Sequence, residues 1–420
     1  MTTTVAPAAE GRSLTLSWTN ADATHRPLTE GTAGTRVVAG LEAFGDLAAA
    51  EPVWRALERE AVFPAYQRFE FLALWQRHIG AAAGIEPFIV VGWDAAGHPA
   101  FLWPFGRRRV GPLVVAEPLG GKHVNYNFGL WRRDVAEALD AFATADLISR
   151  IGRLGPRLDI ISIERQPASW HDVPNPLRLL PHHATPSFGW RGRLVADPAA
   201  YLSRLMSADT RNKFRRKERK LAALPGYRYV KAASPDEIAP MLDAHFVQKA
   251  ARMRAAGLGN VCAEPGVEAF LRDAACHGIE SGRPLLECHA LVCDDEVIAV
   301  VCALRDAHRC SCMQVSITGS DNARFSPGVI LFINLASDCC KDGLEWFDLG
   351  VGEANYKNWF CDEAEPLFDS CLPVTMAGQL VAVGQRQLGA IKRHIKRSPR
   401  LWNLVLATRR RLFAGPLTPP

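Results

Sequence analysis

The chain has 420 residues, 48% hydrophobic and 22% charged, the make-up of a folded chain rather than a disordered or fibrous one. At roughly 100–200 residues per domain this length predicts two domains, each able to bury its own core. No run approaches the ~18 apolar residues of a membrane span. Residues 1–35, rich in Ala, Thr and Gly, lack a basic start followed by an apolar run, so they read as a disordered tail and not a secretory signal. The net charge of +5 is uneven, because nine basic and no acidic residues lie in 385–420, leaving −4 for the rest.

In chain order, a helix over 69–78 is followed by apolar strands over 87–93 and 100–105, with a turn of Asp94, Gly97 and Pro99 between them. The same order recurs later as a helix over 270–277, a strand over 287–293, an acidic turn Asp294-Asp295-Glu296 and a strand over 297–304. An offset of 199 pairs Phe71 with Phe270, Leu72 with Leu271 and Gly129 with Gly328, among seven identities in seventy pairs. The repeated helix–hairpin–glycine-loop order, more than the identities, predicts two copies of one α/β unit. Between them Asp209 or Ser207 caps a basic helix over 211–221, in which Phe214, Leu221 and Leu224 share a face. A further helix over 235–256 stops at Gly257.

All eleven cysteines lie between Cys262 and Cys371, several in alternating apolar runs and without ligand spacing, so they read as reduced core thiols. A strand over 311–318 leads through Arg324 to Ser326-Pro327-Gly328, with Ser326 placed as N-cap, Pro327 as first helical residue and Gly343 just past the end. The amides at such a helix start suit an anion; Gly328 offers close approach and Arg324 a charge. The alternative is that Ser-Pro-Gly only starts a helix. Asp348, Glu353, Tyr356 and Lys357 then follow a short strand over 344–349, a carboxylate–phenol–amine group able to supply acid and base functions, or else an ordinary glycine turn with surface charges.

Ser326-Pro327-Gly328 and the later Asp348-x-Gly350-x-Gly352-x-x-x-Tyr356-Lys357 resemble the CelD-type cellulose-biosynthesis acetyltransferase family of the GNAT superfamily, which has the double-domain plan of Fem-type aminoacyltransferases. The resemblance implies an α/β chain of two tandem GNAT-like domains, each a mixed, mostly antiparallel sheet flanked by helices. The first, 36–197, is expected to be degenerate, the second, 198–380, to be the acyltransferase, and 381–420 to be a basic helical segment. It implies transfer of an acyl group from acetyl-CoA or another acyl-CoA to an amine or hydroxyl, without a metal, for cellulose or another exopolysaccharide. Glu353 is the expected base, Asp348 the group that orients the acceptor or Lys357, Tyr356 the acid that protonates the leaving sulfur, and Lys357 equally a candidate to bind a donor phosphate. Arg324, Ser326, Pro327, Gly328 and Val329 are expected at the donor. His245, which resembles the family's helix histidine, joins Arg211, Arg215 and Tyr126 at the acceptor. Lys122, His123 and Asn125 are further acceptor candidates, with solvated loop residues as the other reading. The helix start departs from the usual R/Q-x-x-G-x-G/A loop, having Gly328 alone.

The expected location is cytoplasmic, with peripheral contact at the inner membrane through the basic C-terminus as one reading of that segment. Two other functions fit these features: a Fem-like transferase using aminoacyl-tRNA, or a non-catalytic polysaccharide-assembly factor. No helix-turn-helix or zinc-finger spacing points to DNA.

Overall fold

The computed structural model describes residues 37–382 and 384. The expected tail and nearly all of the basic C-terminal segment lie outside the described residues. Two large sheets organise the chain. The first runs Gly40–Phe44, Glu86–Trp93, Pro99–Val110, Leu113–Pro118, Ile160–Pro167, Leu367–Pro373, His183–Ala184, with Leu130–Trp131 added to its third strand. The second runs Arg228–Lys231, Glu287–Cys293, Glu296–Arg305, Arg309–Ile317, Trp346–Val351, Gly189–Arg193, Glu363–Glu365.

Each sheet is antiparallel except at one place. In the first, Leu113–Pro118 and Ile160–Pro167 run parallel through only Val115↔Ile160 and Ala116↔Ile161. In the second, Arg309–Ile317 and Trp346–Val351 run parallel through Arg309↔Trp346, Cys310↔Phe347 and Ser311↔Asp348. Beyond those pairs the strands part. The same topological feature in both sheets is the clearest sign of a repeated unit.

The halves also exchange strands. Gly189–Arg193, upstream of the expected division at 197/198, pairs with Trp346–Val351 and Glu363–Glu365 of the second sheet. Leu367–Pro373, well downstream of it, pairs with Ile160–Pro167 of the first. Sheet membership therefore crosses the 197/198 division in both directions. The exchange covers strand edges that each half alone would leave open.

The helices form where the local signals place them. Ala208–Ala222 is capped by Ser207, whose hydroxyl accepts from Thr210 N–H, and buries Phe214 and Leu221. Pro235–Ala256 starts after Ser234 and closes on Gly257 at φ 65, a left-handed position that glycine fills without strain. It lies on one face of the second sheet, where Ile238, Met241 and Leu242 join Cys288, Val300 and Cys302. Pro327–Lys341 covers the other face, packing Ile330, Leu331 and Leu335 on Ala299, Val301 and Ala303. Helices Phe69–Trp75 and Val267–Cys276 meet between the halves, Phe71 edge-to-face on Phe270 with centroids 5.1 Å apart. These are two positions that the 199-residue offset pairs.

All eleven cysteines are free thiols and all but Cys276 are buried. No described helix is long and apolar enough to cross a membrane.

Candidate functional site

The site centres on the parting of Arg309–Ile317 from Trp346–Val351. The pairing of Arg309–Ile317 with Glu296–Arg305 shifts register where Cys302 faces Gln314 but Ala303 faces Cys312, so Met313 is an extra, bulged residue. A bulge bends its strand and re-aims the residues beside it, here at the point where the parallel neighbour leaves.

Asp348 ends the parallel pairing and is fully buried. Its Oδ1 accepts from the Tyr126 hydroxyl at 2.9 Å and from Gly350 N–H at 2.7 Å, and its Oδ2 from Arg309 Nε at 3.1 Å. Arg309 Nη2 donates to Glu365 at 3.0 Å, and its guanidinium lies over the rings of Trp170 and Tyr126 at 4.2 and 4.8 Å. Burial alone would favour neutral Arg309, but Asp348 and Glu365 more than offset it and hold the guanidinium charged. Tyr126 and Trp170 come from the first half, so this network is shared between the halves. Asp348 faces no solvent. It holds the turn that follows it, since Gly350 at φ 72 has its N–H on Asp348 and its carbonyl on Lys357 Nζ at 2.9 Å. Lys357 is buried, its pKa lowered by burial against the pull of Asp348. A Cβ at Gly350 would stand 2.6 Å from Asn125 Nδ2. That amide donates to the Tyr66 hydroxyl at 2.7 Å and to the Cys312 carbonyl at 3.4 Å, so a first-half side chain stands in the gap between the parting strands.

Tyr356 is half-buried and stacks on Phe332 with centroids 5.6 Å apart. Burial, with Cys312 nearby, pushes its pKa up to about 12, so the phenol keeps its proton at neutral pH. Glu353 is exposed and accepts from Phe188 N–H at 3.4 Å. Two of the four residues named from the motif thus reach solvent, and two brace the turn that carries them.

At the amino end of Pro327–Lys341 the structure departs from expectation in two details. Ser326 occupies the N-cap position, but at φ 58, and its side chain makes no capping bond; its hydroxyl instead accepts from Lys217 Nζ at 2.7 Å. Gly328 faces the sheet, where a Cβ would stand 2.6 Å from Ile317 Cδ1, so the glycine is required by packing. Pro327 is buried and Val329 partly so. Lys217 also donates to the Arg324 carbonyl at 2.9 Å; burial, then Lys213, lowers its pKa. The charge at this helix start therefore comes from Lys217, which the motif did not single out, together with Arg324, whose guanidinium lies over Phe325.

Of the expected acceptor residues, Arg211 donates to the carbonyls of Met206 (2.5 Å) and Ser203, closing helix Pro198–Leu205. Arg215 is exposed on the same basic helix. Tyr126 is the buried partner of Asp348, His123 accepts from Trp75 Nε1 at 3.0 Å, and Lys122 forms a 2.6 Å ion pair with Glu264. His245 is fully buried; desolvation and then Lys249 lower its pKa to about 4, and its Nε2 lies 3.8 Å from Cys262 Sγ. Sequence reasoning missed Arg309 and gave Lys249 no role at the site. The one signal for Arg309 was its place as the only charged residue of a cysteine-containing strand. Among the described residues no group of three His, Cys, Asp or Glu side chains is placed to hold a metal ion.

Residues 208–358 match the model of an acetyltransferase (GNAT) domain family. No curated protein matches the chain. Among solved structures it is similar to FemX at 11% identity, over 77% of this chain and 100% of that one, with a TM-score of 0.52. A conserved protein of unknown function from Bacteroides thetaiotaomicron matches at 10% identity over 79% and 100%, TM-score 0.48. A tandem GNAT protein from the clavulanic acid biosynthesis pathway matches at 13% identity over 80% and 99%, TM-score 0.40. Residues 208–358 of this α/β chain of two topologically similar halves thus match an acetyltransferase (GNAT) domain, and the fold is similar to that of FemX.

Proposed function

We propose that the chain is an acyltransferase that moves an acyl group, acetyl in the simplest case, from a CoA thioester to an amine or hydroxyl. The working site is in the second half, the domain expected over 198–380. The observation that carries this reading is the parting of Arg309–Ile317 from Trp346–Val351 at a bulge, with the protonated Tyr356 beside it. Lys217 and Arg324 fit the donor's phosphates by charge, while Gly328, filled by Ile317, offers them no glycine cradle.

In the reaction, the acceptor's lone pair forms a bond to the thioester carbonyl and the carbon–sulfur bond breaks. The acceptor's proton goes to Glu353, directly or through water, and the leaving sulfur takes the proton of Tyr356. Its raised pKa keeps Tyr356 protonated until charge develops on the sulfur, and the phenolate left behind is reprotonated from solvent as Glu353 sheds the acceptor's proton. Asp348, Arg309 and Lys357 fix the turn that carries Glu353 and Tyr356. Thiol release from acetyl-CoA, with a panel of amines and sugars, tests this. Tyr356→Phe is expected to lower turnover by about 10²-fold or more, and Glu353→Gln to lower it as well. Unchanged turnover in both variants overturns the assignment.

A second reading has one observation in its favour. Lys213, Arg215, Arg216, Arg219 and Lys220 form an exposed face of Ala208–Ala222 and take no part in an ion pair among the described residues. Such a face suits a polyphosphate donor such as an aminoacyl-tRNA. Activity that RNase abolishes, and that acetyl-CoA does not restore, would select this reading. The acceptor class, including the glycans of cellulose or exopolysaccharide assembly, is part of the proposal, as is a cytoplasmic location.

A further inference from the structure

The chain leaves the first sheet through helical residues 376–382. Thr375 caps them: its Oγ1 accepts from Gly378 N–H at 3.2 Å and donates to Asp159 Oδ1 at 2.8 Å. Their inward side is set by contact. A Cβ at Gly378 would run into the Asp159 carbonyl, and Val381 and Ala382 pack with Leu113, Val115 and Ile160 of the first sheet. At about 3.6 residues per turn, Met376 and Leu380 stand one above the other on the opposite side. They are 76% and 79% exposed, more than any other large apolar side chain among the described residues. Val110, 43% exposed, pairs across its hairpin with Leu113 and so lies on the sheet face that these helical residues cover. Gly152 lies against Val374, and Arg153 next to it is exposed, without an ion pair among the described residues. Arg157, also exposed, pairs with the buried Asp159 at 3.0 Å.

One exposed apolar side chain is ordinary on a protein surface. Two on the outermost line of one helix, with arginines at its start, are not, since that line normally carries polar groups. The sequence that follows points to what meets them. Residues 385–420 hold nine basic residues, no acidic one, and the apolar Trp402, Leu404, Val405 and Leu406. Cations and apolar side chains together match the interface of an anionic bilayer, where apolar groups enter the acyl boundary and cations meet the headgroups. A polyphosphate such as RNA would take the cations and leave the apolar pair in water. We propose that Met376 and Leu380 form the apolar part of a docking surface for anionic lipid, with Arg153 and the basic residues of 385–420 supplying its charge. The contact then begins on the folded body, at the first sheet, and not only in the basic segment.

Vesicle flotation of the full chain tests this, comparing phosphatidylcholine alone with equal parts of phosphatidylcholine and phosphatidylglycerol. Binding to the anionic vesicles is expected to be tighter by about tenfold or more, and to weaken as salt rises. Met376→Ser with Leu380→Ser, at exposed positions, is expected to weaken it about tenfold at an unchanged melting temperature. Arg153→Gln should weaken it by up to about fivefold. Equal binding to both kinds of vesicle, or undiminished binding by the double variant, overturns the proposal. So does a lower melting temperature in the double variant, which would mean that this chain itself covers the pair. A wild-type dimer that the double variant splits would mean that a second copy covers it, and overturns the proposal too. No donor or acceptor is present in this experiment, so the inference does not rest on the acyltransferase reading and either can fail alone.

Discussion

The fully buried side chains at this site divide into those that hold charge and those that refuse it. Asp348 and Arg309 are charged and mutually satisfied. Asp348→Asn is expected to destabilise the protein by about 3–5 kcal/mol, because it leaves Arg309 short of a counter-charge. Tyr126→Phe removes one hydrogen bond to a carboxylate and is expected to cost about 1.5–3 kcal/mol. Urea denaturation of the two variants measures both, and equal, negligible losses would contradict the network as described. His245 is the opposite case. Desolvation lowers its folded pKa to about 4, below the ordinary 6.5, so between those values the unfolded chain binds the extra proton. Stability therefore falls as pH drops through 6.5 and levels off near 4, where the folded imidazole is protonated too. Between pH 7.5 and 5 this amounts to about 2 kcal/mol for the one group. His245→Gln should flatten the pH dependence of the unfolding free energy by that amount. At this scale the motif was legible and its division of labour was not. Spacing brought Asp348, Tyr356 and Lys357 together, but whether a carboxylate faces substrate or a buried guanidinium depends on Arg309, thirty-nine residues earlier, and on Tyr126 in the other half.

Among the elements, helix ends were the most legible features, because capping chemistry is local. Ser207 and Gly257 behave as the sequence implies, and Pro327 opens its helix. Ser326 does not cap: it sits at φ 58, away from the extended backbone a capping side chain uses, and its hydroxyl accepts from Lys217 of a separate helix. Gly328 carries a second lesson. Glycine at a helix start reads equally as an anion cradle or as a close contact, and only the position of Ile317 decides between them. Gly328→Ala is expected to destabilise by about 1–3 kcal/mol through overpacking. Ile317→Val in the same chain, which removes the Cδ1 nearest the new methyl, should recover part of the loss. Purely additive losses in the double variant would show that the contact is not the cause. The bulge at Met313 had no sequence signal at all, since an extra residue in a strand shows only against its partner's register.

For the whole molecule, the doubled plan was readable from the repeated order of elements, and the exchange of strands was not. Short strands such as Gly189–Arg193 lack a pattern that names their sheet. The exchange makes the halves interdependent: each sheet contains a strand from the far side of 197/198. Unfolding in urea, followed by tryptophan fluorescence and circular dichroism, is accordingly expected to give one coincident transition. Fragments 36–197 and 198–380, made separately, should be insoluble or unfolded and become soluble when made together. A well-folded, monomeric 198–380 fragment would refute that expectation.

The placement of Leu367–Pro373 also bears on how the protein is born. On the ribosome, Ile160–Pro167 emerges with one side unpaired, and its neighbour follows only after some two hundred further residues. At synthesis rates of about 5–20 residues per second the wait is roughly 10–40 s. During that interval a bare, apolar strand is open to the wrong partner. A nascent chain of this design therefore needs shelter, and its yield should respond to chaperone supply and to slower translation more than the finished molecule's stability would suggest.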